Sequence, residues 1–144
     1  MHILVVGAGR TGAALARWLL SAGHEVTVVE QNRDRCNELD DLLGSVSVFG
    51  DATDSAVLSK AGTNRADVIV ATTHSDDVNL VVCQLAKHHF DVPRTISVVN
   101  VRERTELFGM AGIDVNIDIT ELVLERMQQG LSPVGFIHLM PIPG

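Results

Sequence analysis

The chain has 144 residues and a formal net charge of −7 at pH 7, a length suited to one domain that buries its own core without disulfides or metals. Almost half of the residues are apolar, few are aromatic and Tyr is absent, so Val, Ile, Leu and Ala must build the core, as in a sheet covered on both faces by helices. The acidity excludes a general nucleic-acid binder, which needs a basic stripe against phosphate, and reads as solvated helix faces.

The predicted elements alternate along the chain. Residues 2–6 form a buried first strand, and residues 11–22 a helix with Ala14, Leu15, Trp18 and Leu19 on one face. Gly23 stops that helix. Residues 25–29 are the second strand. Asn32 caps a helix over residues 33–43, which Gly44 closes. Residues 46–49 are a short third strand and residues 54–61 a short helix. Residues 67–71 form the fourth strand. Ser75 caps a long helix reaching residue 89, with Asp76 and Asp77 in its first turn and His88 and His89 in its last, each sign of charge suiting the helix dipole. Pro93 breaks the chain before a strand over residues 95–99. A helix over residues 102–110 ends near Gly112, a sixth strand covers residues 114–117, and a final helix covers residues 119–129.

Such alternation predicts an α/β doubly wound six-stranded parallel sheet, the Rossmann fold, in the strand order 3-2-1-4-5-6. One nucleotide-binding domain then spans residues 1–130. Residues 131–144 hold three of the four prolines and are apolar. They read as a tail that docks on a partner or as the start of a linker. Cys36 and Cys83 fall inside predicted helices without C-x-x-C spacing, which excludes a disulfide framework or zinc site and suits a reducing cytoplasm. Residues 1–7 lack the charged leader of a signal peptide. No apolar run approaches the roughly 20 residues of a bilayer span.

The turn Gly7-Ala8-Gly9-Arg10-Thr11-Gly12 follows the first strand and opens a helix. In that setting Gly7 serves the tight turn, Gly9 lets a pyrophosphate approach the backbone, and Gly12 lets the helix pack close to the strand. The free N–H groups and the helix dipole face the anion. Glu30, with Gln31 beside it, lies at the end of the second strand about 20 residues beyond the glycines, where a carboxylate accepts both hydroxyls of an adenosine ribose. It repels a 2′-phosphate, so NADP is disfavoured against NAD. Arg10 lies inside the turn and forks onto phosphate oxygens, which favours ATP or ADP at least as much as NAD or NADH. The alternative is a solvent-facing Arg at a helix start.

Two further loops lie at carboxyl ends of strands, where ligands of this architecture bind. In Gly50-Asp51-Ala52-Thr53, Asp51 and Thr53 either reach the adenine edge or cap the next helix. In Ala71-Thr72-Thr73-His74, small polar residues let a second ribose or the phosphates pass. His74 is either a general base or, more simply, a solvated loop histidine.

These segments carry a resemblance. "MHILVVGAGRTG", "GHEVTVVE", "VFGDATD", "ADVIVATTHSDDVNL" and "LFGMAGIDVNI" occur in that order. Residues 1 to about 128 resemble the nucleotide-binding N-terminal domain of the TrkA and KtrA proteins, regulators of potassium conductance also called RCK or KTN domains. The resemblance implies a cytoplasmic regulatory subunit, at the inner face of the membrane through its partner. It implies binding of ATP, ADP or NAD(H), dimers and then rings, and a potassium channel or transporter that nucleotide exchange gates. By position, Gly7, Gly9, Arg10 and Gly12 would hold phosphates and Glu30 the ribose. Asp51, Ala52 and Thr53 would contact the base, and Thr72 and Thr73 would line the phosphate side. Asp77 and Asn79 fall in the family's D-x-x-N segment and are assigned first to packing and capping. Val98 stands where many members carry a basic residue, and Ile119, after Asp118, where many carry proline. A metal at the dimer contact is therefore unsupported. The family's common C-terminal ligand domain does not follow, as in a single-domain member or a fragment.

The rival classes are an NAD-dependent oxidoreductase domain and a stand-alone NAD(H) redox sensor. Without Tyr no Tyr-x-x-x-Lys pair exists, and His74 and Lys87 do not form an acid–base pair by spacing. The expectation is a binding module and not an enzyme. Leu122, Val123 and Met127, with residues 136–140, are expected to form a self-association surface; the alternative packs that helix on its own sheet.

Overall fold

A computed structural model describes residues 1–131. Of the predicted tail, Leu131 ends the last helix, and residues 132–144, with 136–140 among them, lie outside the described residues. Six strands form one sheet: β1 (His2–Val6), β2 (Glu25–Glu30), β3 (Ser47–Phe49), β4 (Val68–Ala71), β5 (Arg94–Val99) and β6 (Val115–Asp118). All pairings are parallel and the order is β3-β2-β1-β4-β5-β6, as the alternation predicts. The helices are α1 (Arg10–Ser21), α2 (Arg33–Leu43), α3 (Ser55–Lys60), α4 (Asp76–His88), α5 (Thr105–Met110) and α6 (Ile119–Leu131).

β1 is the centre of the molecule, and all five of its residues are buried. Its side chains divide between two cores. Ile3 and Val5 join Ala16, Leu19, Val26, Val28 and Leu39 under α1 and α2. Leu4 and Val6 join Leu58, Ile69, Val82 and Ala86 under α3 and α4. Each fully buried Leu or Val here stabilises the fold by roughly 1.5–3 kcal/mol. Phe108 of α5 closes a third cluster with Cys83 and Val99.

Three expectations are corrected in detail, and one alternative is set aside. The face of α1 turned to the sheet carries Gly12, Ala16 and Leu19, whereas Ala14 is exposed and Trp18 is 63% exposed. The cause is proximity: a Cβ on Gly12 would lie 1.9 Å from the Gly7 carbonyl oxygen, so α1 runs too close for a Trp on that side. The predicted helix over residues 102–110 is a 3-10 turn, Arg102–Arg104, followed by α5. The Asp76 carboxylate takes the amides of Asn100 and Val101 and holds the chain extended up to that turn. β6 includes Asp118, which pairs with Val99 and then accepts the Glu121 N–H at the start of α6, 3.0 Å away. Finally, α6 buries no residue. Leu122 is 48%, Val123 45% and Met127 59% exposed, so the stripe does not pack on its own sheet.

Candidate nucleotide site

Between β1 and β4 the strand order reverses direction, and a crevice of about 220 Å³ opens there at the carboxyl ends of the strands. Its walls are three loops, each tied to a neighbouring strand. The Gly7 N–H donates to Val29 O at 2.9 Å, Gly50 N–H to Glu30 O at 3.0 Å, and Thr72 N–H to Val6 O at 2.9 Å. Val6 and Val29 form the apolar floor.

The glycine turn has the form its spacing predicts. Gly7 takes a φ of +103°, a left-handed conformation costly for a residue with a Cβ. A Cβ on Gly12 would strike Gly7 O, whereas one on Gly9 would meet nothing within 4 Å. The first intrahelical bond of α1 runs from Ala13 N–H to Gly9 O at 2.9 Å. The amides of Arg10, Thr11 and Gly12 therefore precede it and have no partner inside the helix. Gly9 is the N-cap and gives no side-chain cap. The helix presents bare N–H groups at the mouth of the crevice, as an anion site requires.

Glu30 is only 6% exposed. Its Oε1 accepts the Ala8 N–H at 2.8 Å and its Oε2 the Asn32 N–H at 2.7 Å. A carboxylate has about four acceptor positions, so each oxygen keeps capacity for one more donor, such as a ribose hydroxyl. The Ala8 contact also joins the carboxylate directly to the glycine turn. Asp51 accepts the Thr53 N–H at 2.9 Å and its hydroxyl at 2.7 Å. The backbone N–H of Thr53, aided by the hydroxyl and outweighing desolvation, holds the Asp51 carboxyl below its ordinary value. Asp51 is thus a charged acceptor. The cap of α3 is Asp54, which accepts the Ala56 N–H at 2.9 Å, and not Asp51 or Thr53.

On the opposite wall, the Thr72 hydroxyl donates to Val6 O at 2.8 Å and stitches the loop after β4 to the end of β1. The Thr73 N–H and hydroxyl both donate to Asn79 Oδ1, at 3.1 and 2.7 Å. Asn79 is fully buried and returns its Nδ2 to Thr73 O and Val98 O at 3.0 and 3.3 Å. Asn79 is therefore a packing residue, as expected. The carboxylate working beside it is Asp76, not Asp77. Asp76 is 3% exposed and takes Asn100 N–H at 2.7 Å and Val101 N–H at 2.9 Å. The Asp77 side chain is 89% exposed and meets the guanidinium of Arg104 at 3.5 Å. Ser75 and Asn32 cap α4 and α2 as predicted, accepting Val78 N–H at 3.2 Å and Arg35 N–H at 3.1 Å.

Of the residues named from sequence, Gly7, Gly9, Glu30 and Gln31 line one side of the crevice. Asp51, Ala52, Thr72 and Thr73 line the rest. Ala8 contributes its N–H to Glu30, Gly12 lies beneath the turn, and Thr53 turns inward to Asp51. Arg10 and Thr11 stand exposed at the first positions of α1 and do not line it. Sequence reasoning missed Arg35, which does line it, 3.9 Å from Glu30 Oε1. The signal was available: Arg35 is in the first turn of the helix that starts just after Glu30. His74 lines the rim and is exposed. Lys87 is elsewhere, donating to Gly112 O at 2.7 Å.

Residues 3–119 match the family model of the TrkA-N domain. A Trk system potassium uptake protein TrkA homolog of Pyrococcus abyssi is 44% identical over 88 residues, which is 61% of this chain and 39% of that protein. The chain thus matches about two fifths of that relative's length. The TrkA-N domain of the inner membrane protein ybaL from Escherichia coli has the same fold, with a TM-score of 0.84 at 22% identity over 90% of this chain and 96% of that one. The GsuK channel bound to NAD is similar at a TM-score of 0.75 and 30% identity, covering 84% of this chain and 22% of that one. GsuK bound to ADP gives a TM-score of 0.74 and 30% identity over 84% of this chain and 32% of that one.

Proposed function

The chain belongs to the TrkA-N domain family, and from that premise we propose that it is the nucleotide-binding regulatory part of a potassium uptake system. Its ligand is an adenine nucleotide, ATP, ADP or NAD(H), held in the crevice at the switch point. One observation carries the reading: Glu30 is bonded to the Ala8 amide, so the ribose acceptor and the phosphate turn are one connected unit. Bare N–H groups of α1 receive the phosphates, Glu30 the ribose, and charged Asp51 suits an amino edge of the base. The relatives' names supply the potassium context, and the GsuK structures with NAD and ADP support nucleotide binding by this fold.

The partner is a membrane potassium channel or transporter subunit, met at its cytoplasmic face. Among the described residues no helix is long and apolar enough to cross a membrane. A second copy of the chain pairs through α6. Nucleotide shifts the paired arrangement only by its differential affinity for the two states. The domain binds without catalysing: His74 is exposed at the rim, and Lys87 lies outside the crevice on Gly112.

The test is calorimetric titration with ATP, ADP, NAD, NADH and NADP on the wild type, Glu30→Gln and Arg10→Ala. Adenine nucleotides bind the wild type, and Glu30→Gln weakens them about tenfold or more, the size of a hydrogen bond to a charged group. Failure of every nucleotide to bind, or indifference to Glu30→Gln, refutes the proposed site. Weaker ATP or ADP on Arg10→Ala assigns Arg10 to the phosphates. Binding of NAD or NADH alone, indifferent to Arg10, moves the reading to a redox sensor or an oxidoreductase cofactor domain.

A further inference from the structure

We propose that Arg35 is a specificity-determining residue of the crevice and lets its adenosine end accept a phosphate on the ribose 2′-oxygen. The inference rests on the reading of Glu30 as the ribose acceptor. By itself a buried carboxylate at that place repels a 2′-phosphate. The structure sets a guanidinium beside it.

The pair is positioned by a short, stiff segment. The two oxygens of Glu30 are each held by an amide, Ala8 on one and Asn32 on the other. Asn32 in turn accepts the Arg35 N–H through its side chain at 3.1 Å, which fixes the first turn of α2. Carboxylate and guanidinium are thereby presented side by side, 3.9 Å apart, with the Arg35 side chain 50% exposed. Any group bonded to Glu30 lies within reach of Arg35. The neighbouring Arg33 is placed differently: its guanidinium lies over the Phe49 ring, 4.0 Å from the centroid, and does not line the crevice. The other carboxylate on this side, Asp51, is engaged by Thr53.

An ion pair this long, with its guanidinium half-exposed, is weak and opens readily. Its guanidinium is a planar fork of donors matched to phosphate oxygens. A 2′-phosphate draws Arg35 from Glu30, whereas plain ribose hydroxyls use the remaining acceptor positions of Glu30 and leave Arg35 where it is. The crevice therefore disfavours 2′-phosphorylated nucleotides without excluding them.

The experiment uses AMP and 2′,5′-ADP, which differ only in the 2′-phosphate, with NAD and NADP as the larger pair, titrated into the full chain as wild type, Arg35→Ala and Arg35→Lys. The wild type binds 2′,5′-ADP within about tenfold of AMP, and Arg35→Ala loses about tenfold or more on 2′,5′-ADP while AMP changes by less than about threefold. Arg35→Lys keeps part of the 2′-phosphate affinity. An unchanged thermal midpoint for Arg35→Ala shows that the fold is intact. Binding of AMP with none of 2′,5′-ADP, or equal weakening of both by Arg35→Ala, overturns the proposal. If the wild type binds neither nucleotide, the ribose role of Glu30 fails first and the proposal falls with it.

Discussion

Gly9 and Gly12 lie three residues apart in one turn, yet the structure asks different things of them. At Gly12 a methyl group meets backbone, the Gly7 carbonyl oxygen at 1.9 Å, which cannot swing aside. Gly12→Ala should destabilise the fold by about 3 kcal/mol, at the upper end for overpacking, read from the urea midpoint. At Gly9 the same methyl group enters open space, and φ is −73°. Gly9→Ala should lower stability by about 1 kcal/mol, the cost of alanine as an N-cap and well short of Gly12→Ala, but weaken nucleotides, because it obstructs the approach to the bare amides. Equal effects of the two changes on stability would refute the assignment. The glycines and Glu30 were legible in the sequence because strand, turn and helix impose their spacing. Arg35 was not read there, since its importance comes from a side chain folding back on Glu30. Asp76 was legible by counting: D-x-x-N spacing taken back from Asn79 falls on Asp76 and not on Asp77, and the path of the chain after β5 brings the amides of Asn100 and Val101 to that carboxylate.

Between elements, short polar staples hold what the apolar layers leave loose. Asp40 of α2 reaches the start of β3, accepting Val46 N–H at 3.1 Å, Ser47 N–H at 2.9 Å and the Ser47 hydroxyl at 2.7 Å. Desolvation pushes its carboxyl up, but the Ser47 hydroxyl and the Ser47 and Val46 amides together outweigh it and hold the group below its ordinary value. At the far edge, Asp114 is lowered chiefly by the Thr95 N–H, at 2.8 Å. A lowered carboxyl stabilises the fold above its unfolded value and loses that contribution as pH falls through its folded value. The urea midpoint should therefore drop below about pH 4, and Asp40→Asn should flatten that drop while lowering the midpoint at pH 7. A midpoint of Asp40→Asn with the wild-type acid dependence would rule the staple out. Such staples are invisible to periodicity, as was the working face of α1. Two sides of that helix carry apolar residues, and the contact of Gly12 with Gly7 selects the smaller one. Strands and caps were legible because β-branched runs and the residues Asn32 and Ser75 act locally.

At the scale of the molecule, the sheet order follows from alternation and right-handed crossovers, and the switch point puts the crevice where three loops converge. What alternation does not reveal is the fate of the last helix. α6 follows directly from β6 and is capped by Asp118, yet buries nothing. The double substitution Leu122→Lys with Met127→Lys should leave the fold's urea midpoint within about 0.5 kcal/mol, as for exposed positions. It should convert an associating chain to a monomer in sedimentation velocity. A monomeric wild type at high concentration, with and without nucleotide, would dismiss the pairing surface.

The bare stripe of α6 has one more consequence. An isolated helix of this length is marginal in water, and tertiary packing is what normally sustains one. If only a second chain supplies that packing, the order of α6 follows mass action. On dilution α6 should lose protection against amide hydrogen exchange first, while β1 at the centre keeps its own. The helix would then report how many chains are present, in the same molecule whose crevice reports the nucleotide.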